Sequence, residues 1–150
     1  MLAAAGIERV KALVIAIDDE EKITELAEYV VKNHPHVHVT ARARNRHHVY
    51  HLWSVGCRDI IRETYDSSLR ISRSVLEAMG IAHDTAEAMV DAFNTMDRKA
   101  MVHVADAFDM NIPPVENDDY IAAVKVIRDE WQPKLAEEMR EIRERGQDAS

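Results

Sequence analysis

Four arginines in the first half of the chain have the chemistry to bind an anionic ligand. Arg42, Arg44 and Arg46 stand at alternate positions, and Arg62 follows further along. Side chains alternate along a strand, so Arg42 and Arg44 are expected on one face. Guanidinium groups bind carboxylates and phosphates through paired hydrogen bonds. The alternative is that Arg42 forms an ion pair with Glu63 or with a nearby aspartate.

The segments around these arginines predict a parallel sheet. Residues 11–17 form a continuous apolar run, which is typical of a strand buried on both faces. Residues 37–43 alternate and are β-branched, so they read as the second strand, and residues 59–61 read as a short third strand. A helical pattern follows each strand. Strands that alternate with helices indicate an α/β fold whose ligands bind at the carboxyl ends of the strands.

The helices are bounded by capping residues and glycines. Asp18 and Asp19 stand where the first helix needs its cap, and Asn45 begins the second, which ends before Gly56. Thr64 or Asp66 caps the third helix, which Gly80 closes; residues 1–6 read as the end of an earlier helix.

Other residues could bind a metal ion, but their pattern has a simpler interpretation. The acidic run 18–21 could hold Mg²⁺, although acidic residues also stabilise a helix N-terminus. The histidines could bind a metal or respond to pH, yet no cysteine or further carboxylate stands beside them, so we expect them to be solvated and predict no metal site. They are His34, His36, His38, His47 and His51.

The sequence does not favour an enzyme. Cys57 lies next to Arg58, but no histidine and acid stand at a catalytic spacing, so a buried or inert thiol is expected. No other pair of catalytic residues is recognisable.

The second half of the chain contains no further strand. Residues 84–110 predict a long amphipathic helix, residues 111–117 a loop with two prolines, and residues 118–145 another helix that Pro133 should kink. We therefore predict two domains. Residues 1–82 form the sheet domain, and residues 83–150 form a helical extension for dimerisation or docking.

Composition limits the partners. The 150 residues include 19 Lys+Arg and 27 Asp+Glu, a net charge of −8, which argues against nucleic acid and anionic membranes as main partners. The single cysteine excludes a disulfide within the chain and fits a reducing cytoplasm. No run approaches the roughly 20 apolar residues of a membrane span, and no signal peptide is evident, so direct membrane insertion is not expected.

Three segments together resemble a known family. They are AGIERVKALVIAIDD, HPHVHVTARARNRHH and VGCRDIIRETYDSSLRISRSVLEAMG. Over residues 1–108 the chain resembles the cytoplasmic regulatory domain of Kef-type potassium/proton antiporters (the glutathione-regulated potassium-efflux family), which belongs to the RCK or TrkA-N class. The resemblance implies a Rossmann-like fold, binding of AMP or NAD(H), a membrane antiporter domain as partner, and a cytoplasmic position at the inner face of the cell membrane. It also implies a homodimer that pairs through residues 66–79 and 84–108.

The family's GxGxxG motif, which binds pyrophosphate, is missing from this chain, so the sheet is expected to be a partial, second half of that fold. Whether the chain is an expressed fragment, the product of a split gene or a degenerate remnant stays open. The absent strands would leave the edge at residues 11–17 uncovered and open to strand pairing.

The resemblance also assigns site residues. Asp18 and Asp19 match positions that contact adenosine, and Arg42, Arg44 and Asn45 lie at the end of the second strand, where the family often has aspartate in place of Asn45. Arg62 matches an arginine that contacts glutathione in glutathione-gated members.

One position departs from the glutathione-gated members. They have an asparagine a few residues after a phenylalanine, whereas here Phe93 is followed by Asp97. An acidic group there would repel the carboxylates of glutathione.

The sequence thus predicts a regulatory, nucleotide- or metabolite-sensing domain that gates monovalent cation efflux. Two alternatives stay open. One is a stand-alone protein-interaction half-domain without a ligand, and the other is a fragment of a dinucleotide-dependent oxidoreductase.

Overall fold

A computed structural model describes residues 6–148 of the chain. The predicted fold class is confirmed: a three-stranded parallel sheet alternates with helices and is followed by a helical part. Of the helix end predicted at residues 1–6, residues 1–5 lie outside the described residues. In chain order, after a 3₁₀ turn at Ile7–Arg9, the elements are β1 (Ala12–Ile15), α1 (Glu20–Asn33), β2 (His38–Ala43), α2 (Arg46–Ser54), β3 (Asp59–Arg62), α3 (Tyr65–Ala78), α4 (His83–Ala107), α5 (Asp118–Val126) and α6 (Gln132–Asp148).

The chain divides into two compact units. One contains the residues up to Glu63 together with Asp109–Asn111, and the other contains Thr64–Phe108 together with the residues from Ile112 onward. The helix α3 therefore belongs to the helical unit. The predicted division into a domain of residues 1–82 and an extension of residues 83–150 stays a prediction.

The sheet unit has its core on one face of the sheet. The strands are parallel in the order β1-β2-β3, with Ile15 paired to Ala41 and Ala43 paired to Arg62. Ile15 and Ala41 are buried on this face, and the helices α1 and α2 pack against it with Ile23 and Leu52. Both strand–helix–strand connections thus lie on the same side, as right-handed crossovers in one direction require.

The prediction that the first strand is buried on both faces is wrong. Within β1, Ile15 is 2% exposed but Val14 is 70% exposed, and Ile61 of β3 is 49% exposed. Val14 and Ile61 lie on the face opposite α1 and α2, where no element of residues 6–148 buries them. The expected uncovered edge is confirmed for the described residues, because β1 is the outer strand.

Side-chain caps set the starts of the two helices that cover the sheet. Asp19 accepts a hydrogen bond from the Lys22 N–H at 3.1 Å, and Asn45 accepts one from the His48 N–H at 2.8 Å. Each cap satisfies a backbone donor that has no partner inside the helix. After α2 the chain turns at Gly56, whose φ of 92° lies in the left-handed region that favours glycine.

The predicted helical segment over residues 118–145 is present, and a π turn at Ile127–Trp131 lies within it, between α5 and α6. The N–H of Gln132 bonds to the carbonyl of Ile127, five residues earlier. Pro133 follows at once, and a proline has no N–H and clashes with the carbonyl four residues before it. The widened turn accommodates that ring, so the expected distortion occurs just before Pro133.

The spacing of the packed residues explains why the turn holds one extra residue. Ala123, Ile127, Trp131, Leu135 and Met139 follow one another at intervals of four, and all are at least partly buried. In a regular α-helix each such step rotates by about 40°, so the stripe would drift by about 160°. The extra residue of the π turn takes back about 100° of that drift. The stripe therefore keeps facing α4.

The register of α6 is also set near its end. Gly146 lies so close to Thr85 of α4 that a Cβ at this position would overlap the threonine side chain. Within residues 6–148, none of the helices combines the length and apolarity that crossing a lipid bilayer would need.

A single-residue deletion should be tolerated in the π turn and not in α6. In a Pro133→Ala background, deleting Glu130 removes the extra residue of the π turn and converts the turn to a regular α-helical one. The register of α6 against α4 is then unchanged, so the melting temperature should stay within a few degrees of that of Pro133→Ala. Deleting Glu138 instead rotates Met139 and Gly146 away from α4, which should cost about 2–5 kcal/mol. Each kcal/mol lowers the melting temperature by roughly 2–4 °C at this chain length. Both glutamates are exposed. Equal losses for the two deletions would contradict the register argument.

Candidate functional site

The carboxyl edge of the sheet brings Arg42 of β2 against the loop that follows β1. The Arg42 Nη2 donates to the Ile17 carbonyl at 2.8 Å and to Asp18 Oδ1 at 2.6 Å. Its Nη1 lies 3.8 Å from Glu63 Oε1. The hydrogen bond to Asp18 raises the pKa of Arg42. The predicted alternative, that Arg42 pairs with an aspartate or with Glu63, is therefore confirmed.

Arg44 reaches the same loop, as expected from the alternation of side chains. Its Nη1 donates to the main-chain carbonyl of Asp18 at 3.2 Å. That acceptor is uncharged, and no carboxylate of residues 6–148 pairs with Arg44. The structure thus brings Asp18, Arg42 and Arg44 together and leaves Arg44 as the cation whose charge is not neutralised by an ion pair.

Asp18 differs from its neighbours in exposure. Its side chain is 95% exposed, whereas that of Arg42 is 28% exposed. Arg42 is therefore the less exposed partner, and the Asp18 carboxylate that it binds faces solvent. With Glu63 included, the three side chains of Asp18, Arg42 and Glu63 carry a net charge of −1. The arginines expected to bind an anion are therefore accompanied by negative charge, because acidic residues of two loops meet Arg42.

Asp19 and Asn45 act as helix caps at this edge. Asp19 also pairs with the Lys22 ammonium at 3.0 Å, and its pKa is lowered chiefly by the Lys22 N–H and then by the Lys22 side chain. The amide Nδ2 of Asn45 donates to Glu20 Oε1 at 3.1 Å. Both residues therefore shape the loops that carry Asp18 and Arg44.

The structure separates Arg62 from the other predicted residues. Arg62 ends β3 and stands beside Ala43 in the sheet, whereas Arg42 stands beside Ile61. Side chains of adjacent residues point to opposite faces, so Arg62 lies on the face that α1 and α2 cover. Its role as a ligand residue stays a prediction.

His48 is a structural residue of the site that sequence reasoning missed. It is 2% exposed, its Nδ1 accepts the Arg44 N–H at 3.2 Å, and its Nε2 lies 3.2 Å from the Thr24 hydroxyl. An Nδ1 that accepts has no proton, so the neutral ring carries its proton on Nε2 and donates it to Thr24. Burial lowers the pKa of His48, and the Glu20 carboxylate offsets part of that effect. Its spacing of four residues before Leu52 was the available signal.

The prediction that the other histidines are solvated is wrong for His34, which is 9% exposed, and three more make separate contacts. The rings of His47 and His51 lie 4.6 Å apart, as their spacing on α2 predicts. His38 lies 2.8 Å from Asp59 Oδ2, whose pKa is lowered first by the Thr40 hydroxyl and then by His38. Within residues 6–148, no group of three or more histidine, cysteine or acidic side chains is arranged to hold a metal ion.

Cys57 is buried, as expected, and burial raises the pKa of its thiol. On α4, Phe93 is 38% exposed while Asp97 is 7% exposed. The acidic residue that departs from the glutathione-gated pattern is thus held inside the helical unit rather than presented on its surface.

Two family models match the chain, one in its first half and one in its second half. Residues 67–149 match the potassium efflux system KefB C-terminal domain, and residues 1–63 match the TrkA-N domain. The chain belongs to the KefB C-terminal domain family. The matched residues, 1–63 and 67–149, agree with the resemblance to a Kef-type regulatory domain.

Individual relatives agree with this assignment. The chain is 32% identical over 106 residues to the glutathione-regulated potassium-efflux system protein KefC of Cronobacter sakazakii, and 32% over 105 residues to that of Salmonella arizonae. These matches cover 71% and 70% of this chain but only 17% of each Kef relative. A solved structure, the Kef CTD of Shewanella denitrificans in AMP-bound form, shares the fold with a TM-score of 0.68 and 32% identity, covering 72% of this chain and 68% of that one.

Stability should fall at acidic pH because of His48. The ordinary pKa of histidine is 6.5, and burial lowers it in the folded chain. At a pH between the folded and the unfolded pKa of His48, the unfolded chain binds more protons than the folded chain. The contribution of His48 to the free energy of unfolding is therefore largest above pH 6.5 and decreases as the pH falls below 6.5.

In urea titrations between pH 7.5 and pH 5, His48→Asn should flatten this dependence, since Asn can accept from Arg44 but does not titrate. His51, whose pKa is also lowered by burial, should leave a residual slope. The exposed control His36→Asn should keep the original slope; an unchanged slope in the His48 variant would refute the assignment.

Proposed function

We propose that this chain is the nucleotide-sensing regulatory part of a potassium/proton antiporter and that it gates monovalent cation efflux. The observation that carries the proposal is the similarity, at 32% identity, to a Kef CTD described as AMP-bound. The geometry of the sheet edge supports it, because an uncompensated arginine and a fixed carboxylate stand together where ligands of open α/β sheets bind.

AMP is the proposed ligand, with NAD(H) as the other nucleotide. Arg44 supplies a charged donor for a phosphate, since its guanidinium bonds only an uncharged carbonyl. Asp18 supplies an acceptor that faces solvent. Arg42, Asp19 and Asn45 hold these two groups in place. This is a regulatory role and not a catalytic one.

A homodimer is the proposed signalling unit. Helix α3 has no buried residue, and three apolar side chains on one stripe are open: Ile71 is 63% exposed, Val75 52% and Met79 74%. Ile71 and Val75 border a groove of about 390 Å³ that Phe93 of α4 and Met139 of α6 also line. An apolar stripe of this kind is suited to a second copy of itself.

Ligand binding would act by shifting populations. A nucleotide that prefers one arrangement of the paired domains stabilises that arrangement, and the paired domains bias the membrane domain to which they are joined. The membrane antiporter domain, in the same or a separate chain, is the proposed partner, and the inner face of the cell membrane is the proposed location.

The same apolar groove favours a second candidate function. A chain that presents it without binding a nucleotide would be a protein-interaction module. A nucleotide titration separates the two.

We expect AMP to raise the melting temperature of the chain and to give a saturable calorimetric signal. Arg44→Ala should weaken binding roughly tenfold or more, because a hydrogen bond to a charged group is worth about 1.5–3 kcal/mol. Arg128→Ala, which removes an exposed arginine paired with Asp129, is the matched control and should bind normally. The absence of any response to AMP, NAD or NADH would favour the interaction module.

We also expect a dimer at micromolar concentration by light scattering after gel filtration. Val75→Glu introduces a charge into the open stripe of α3 and should give monomers. Ser74→Glu adds the same charge on an exposed neighbour turned about 100° away and should leave the dimer intact. A folded monomer from the unchanged chain would rule out the dimer.

A further inference from the structure

We propose that a cavity at the amino edge of the sheet binds a free α-amino acid with an apolar side chain, whose carboxylate pairs with Arg58 and whose ammonium group pairs with Asp59. This edge is the end of the strands opposite to the nucleotide edge, because Asp59 begins β3 while Arg62 ends it. The inference therefore does not depend on nucleotide binding.

Arg58 is a cation that is held in place without being neutralised. Its Nη1 donates to the main-chain carbonyls of Trp53 at 2.6 Å and of Cys57 at 3.2 Å, and its guanidinium carbon lies 4.1 Å from the centre of the Trp53 ring. None of these partners carries a charge. Within residues 6–148, no carboxylate pairs with Arg58, and its Nε and Nη2 have no acceptor. These two nitrogens form an edge that can bind a carboxylate through two parallel hydrogen bonds.

Asp59 supplies a carboxylate that is fixed through one of its two oxygens. Its Oδ2 accepts from the Thr40 hydroxyl at 2.6 Å and lies 2.8 Å from His38 Nε2, whereas its Oδ1 has no donor in the described part of the chain. Neither partner is a lysine or an arginine. The Thr40 hydroxyl, and then His38, lower the pKa of Asp59, which favours the ionised form. Oδ1 is therefore an oriented acceptor for an ammonium group.

Arg58 and Asp59 line the same cavity, which has a volume of about 400 Å³. This volume lies within the range of pockets that hold small ligands, roughly 300–1,000 Å³. His36 and His38 also line the cavity, and the rest of its side-chain lining is largely apolar: Val31, Pro35, Val37 and Val39. The cavity thus combines two opposite charges with an aliphatic wall.

One positive and one negative group favour a ligand that carries both charges. A simple carboxylate would meet the Asp59 carboxylate as well as Arg58, and a simple amine would meet the guanidinium as well as Asp59. A zwitterion can pair with both groups, while a branched aliphatic side chain contacts the valine wall and leaves water. Free amino acids such as leucine combine these features.

The test is titration calorimetry of the full chain with L-leucine and two analogues that keep its side chain. 4-Methylpentanoate lacks the ammonium group, and 3-methylbutylamine lacks the carboxylate. All titrations are made at pH 8, because histidines gain charge in more acidic solution. We expect L-leucine to bind saturably and each analogue to bind at least tenfold more weakly, since each loses a hydrogen bond between charged groups. No saturable binding of L-leucine, or equal binding of the three compounds, would overturn the inference.

Two substitutions separate the roles of the charges. Arg58→Gln should remove the preference for L-leucine over 3-methylbutylamine. Asp59→Asn, which keeps an acceptor for Thr40, should remove the preference for L-leucine over 4-methylpentanoate. Unchanged preferences in the folded variants would also contradict the inference.

Two further variants are controls. Arg70→Gln removes an exposed arginine from α3 and should keep both preferences. Arg44→Ala should bind L-leucine normally, since Arg44 follows the carboxyl end of β2. A loss of L-leucine binding in Arg44→Ala would contradict a site at the amino edge, whatever the outcome with AMP.

Discussion

One buried imidazole joins the three segments that form the carboxyl edge of the sheet. His48 accepts from the backbone of Arg44 at the exit of β2 and bonds to Thr24 in the first turns of α1, and the Thr24 hydroxyl in turn donates to the Glu20 carbonyl at 3.0 Å. Because the ring belongs to α2, its hydrogen bonds connect the end of β2 with the first turns of α1 and α2. Such a chain of bonds is stable only while every member has its partner, and here that requires an uncharged ring.

This link explains why the loops at the edge are ordered enough to carry a site. Asn45 follows Arg44 directly and is fixed twice, as the cap of α2 and as the donor to Glu20. The backbone position of Arg44 follows from these local bonds, whereas the Ile17–Asp18 loop is held by hydrogen bonds from Arg42 and Arg44. Polar residues thus hold the backbone of the edge, and the two arginines hold the loop that faces it.

Much of the fold could be predicted from local pattern. The alternation in β2 and the capping residues Asp19 and Asn45 act within a few positions, and the strands and helices lie close to where these signals indicate. The open face of β1 could not be predicted, because an apolar run specifies burial only if something covers both sides, and coverage is a tertiary property. Val14 satisfies the pattern of a buried strand and is nevertheless exposed.

The residues that form the site could be predicted from the sequence, but the ion pairs among them could not. Asp18, Arg42 and Arg44 are indeed neighbours, since strand ends of a parallel sheet converge. Their pairing was undetermined, because Arg42 and Asp18 are 24 positions apart and several acids were equally placed to meet the arginine. The role of His48 was hidden by His47 beside it, because two adjacent histidines look alike until one is known to face the core.

The π turn between α5 and α6 has a consequence for the history of this family. The extra residue of such a turn can be lost or gained without moving the contacts on either side of it. A one-residue change in length therefore preserves the helix packing at the π turn and disrupts it a few positions later. Aligned relatives should therefore show their single-residue gaps at 127–131 and keep an uninterrupted frame through α6. A comparison that places such a gap elsewhere in the helix would misalign every residue from Leu135 to Gly146.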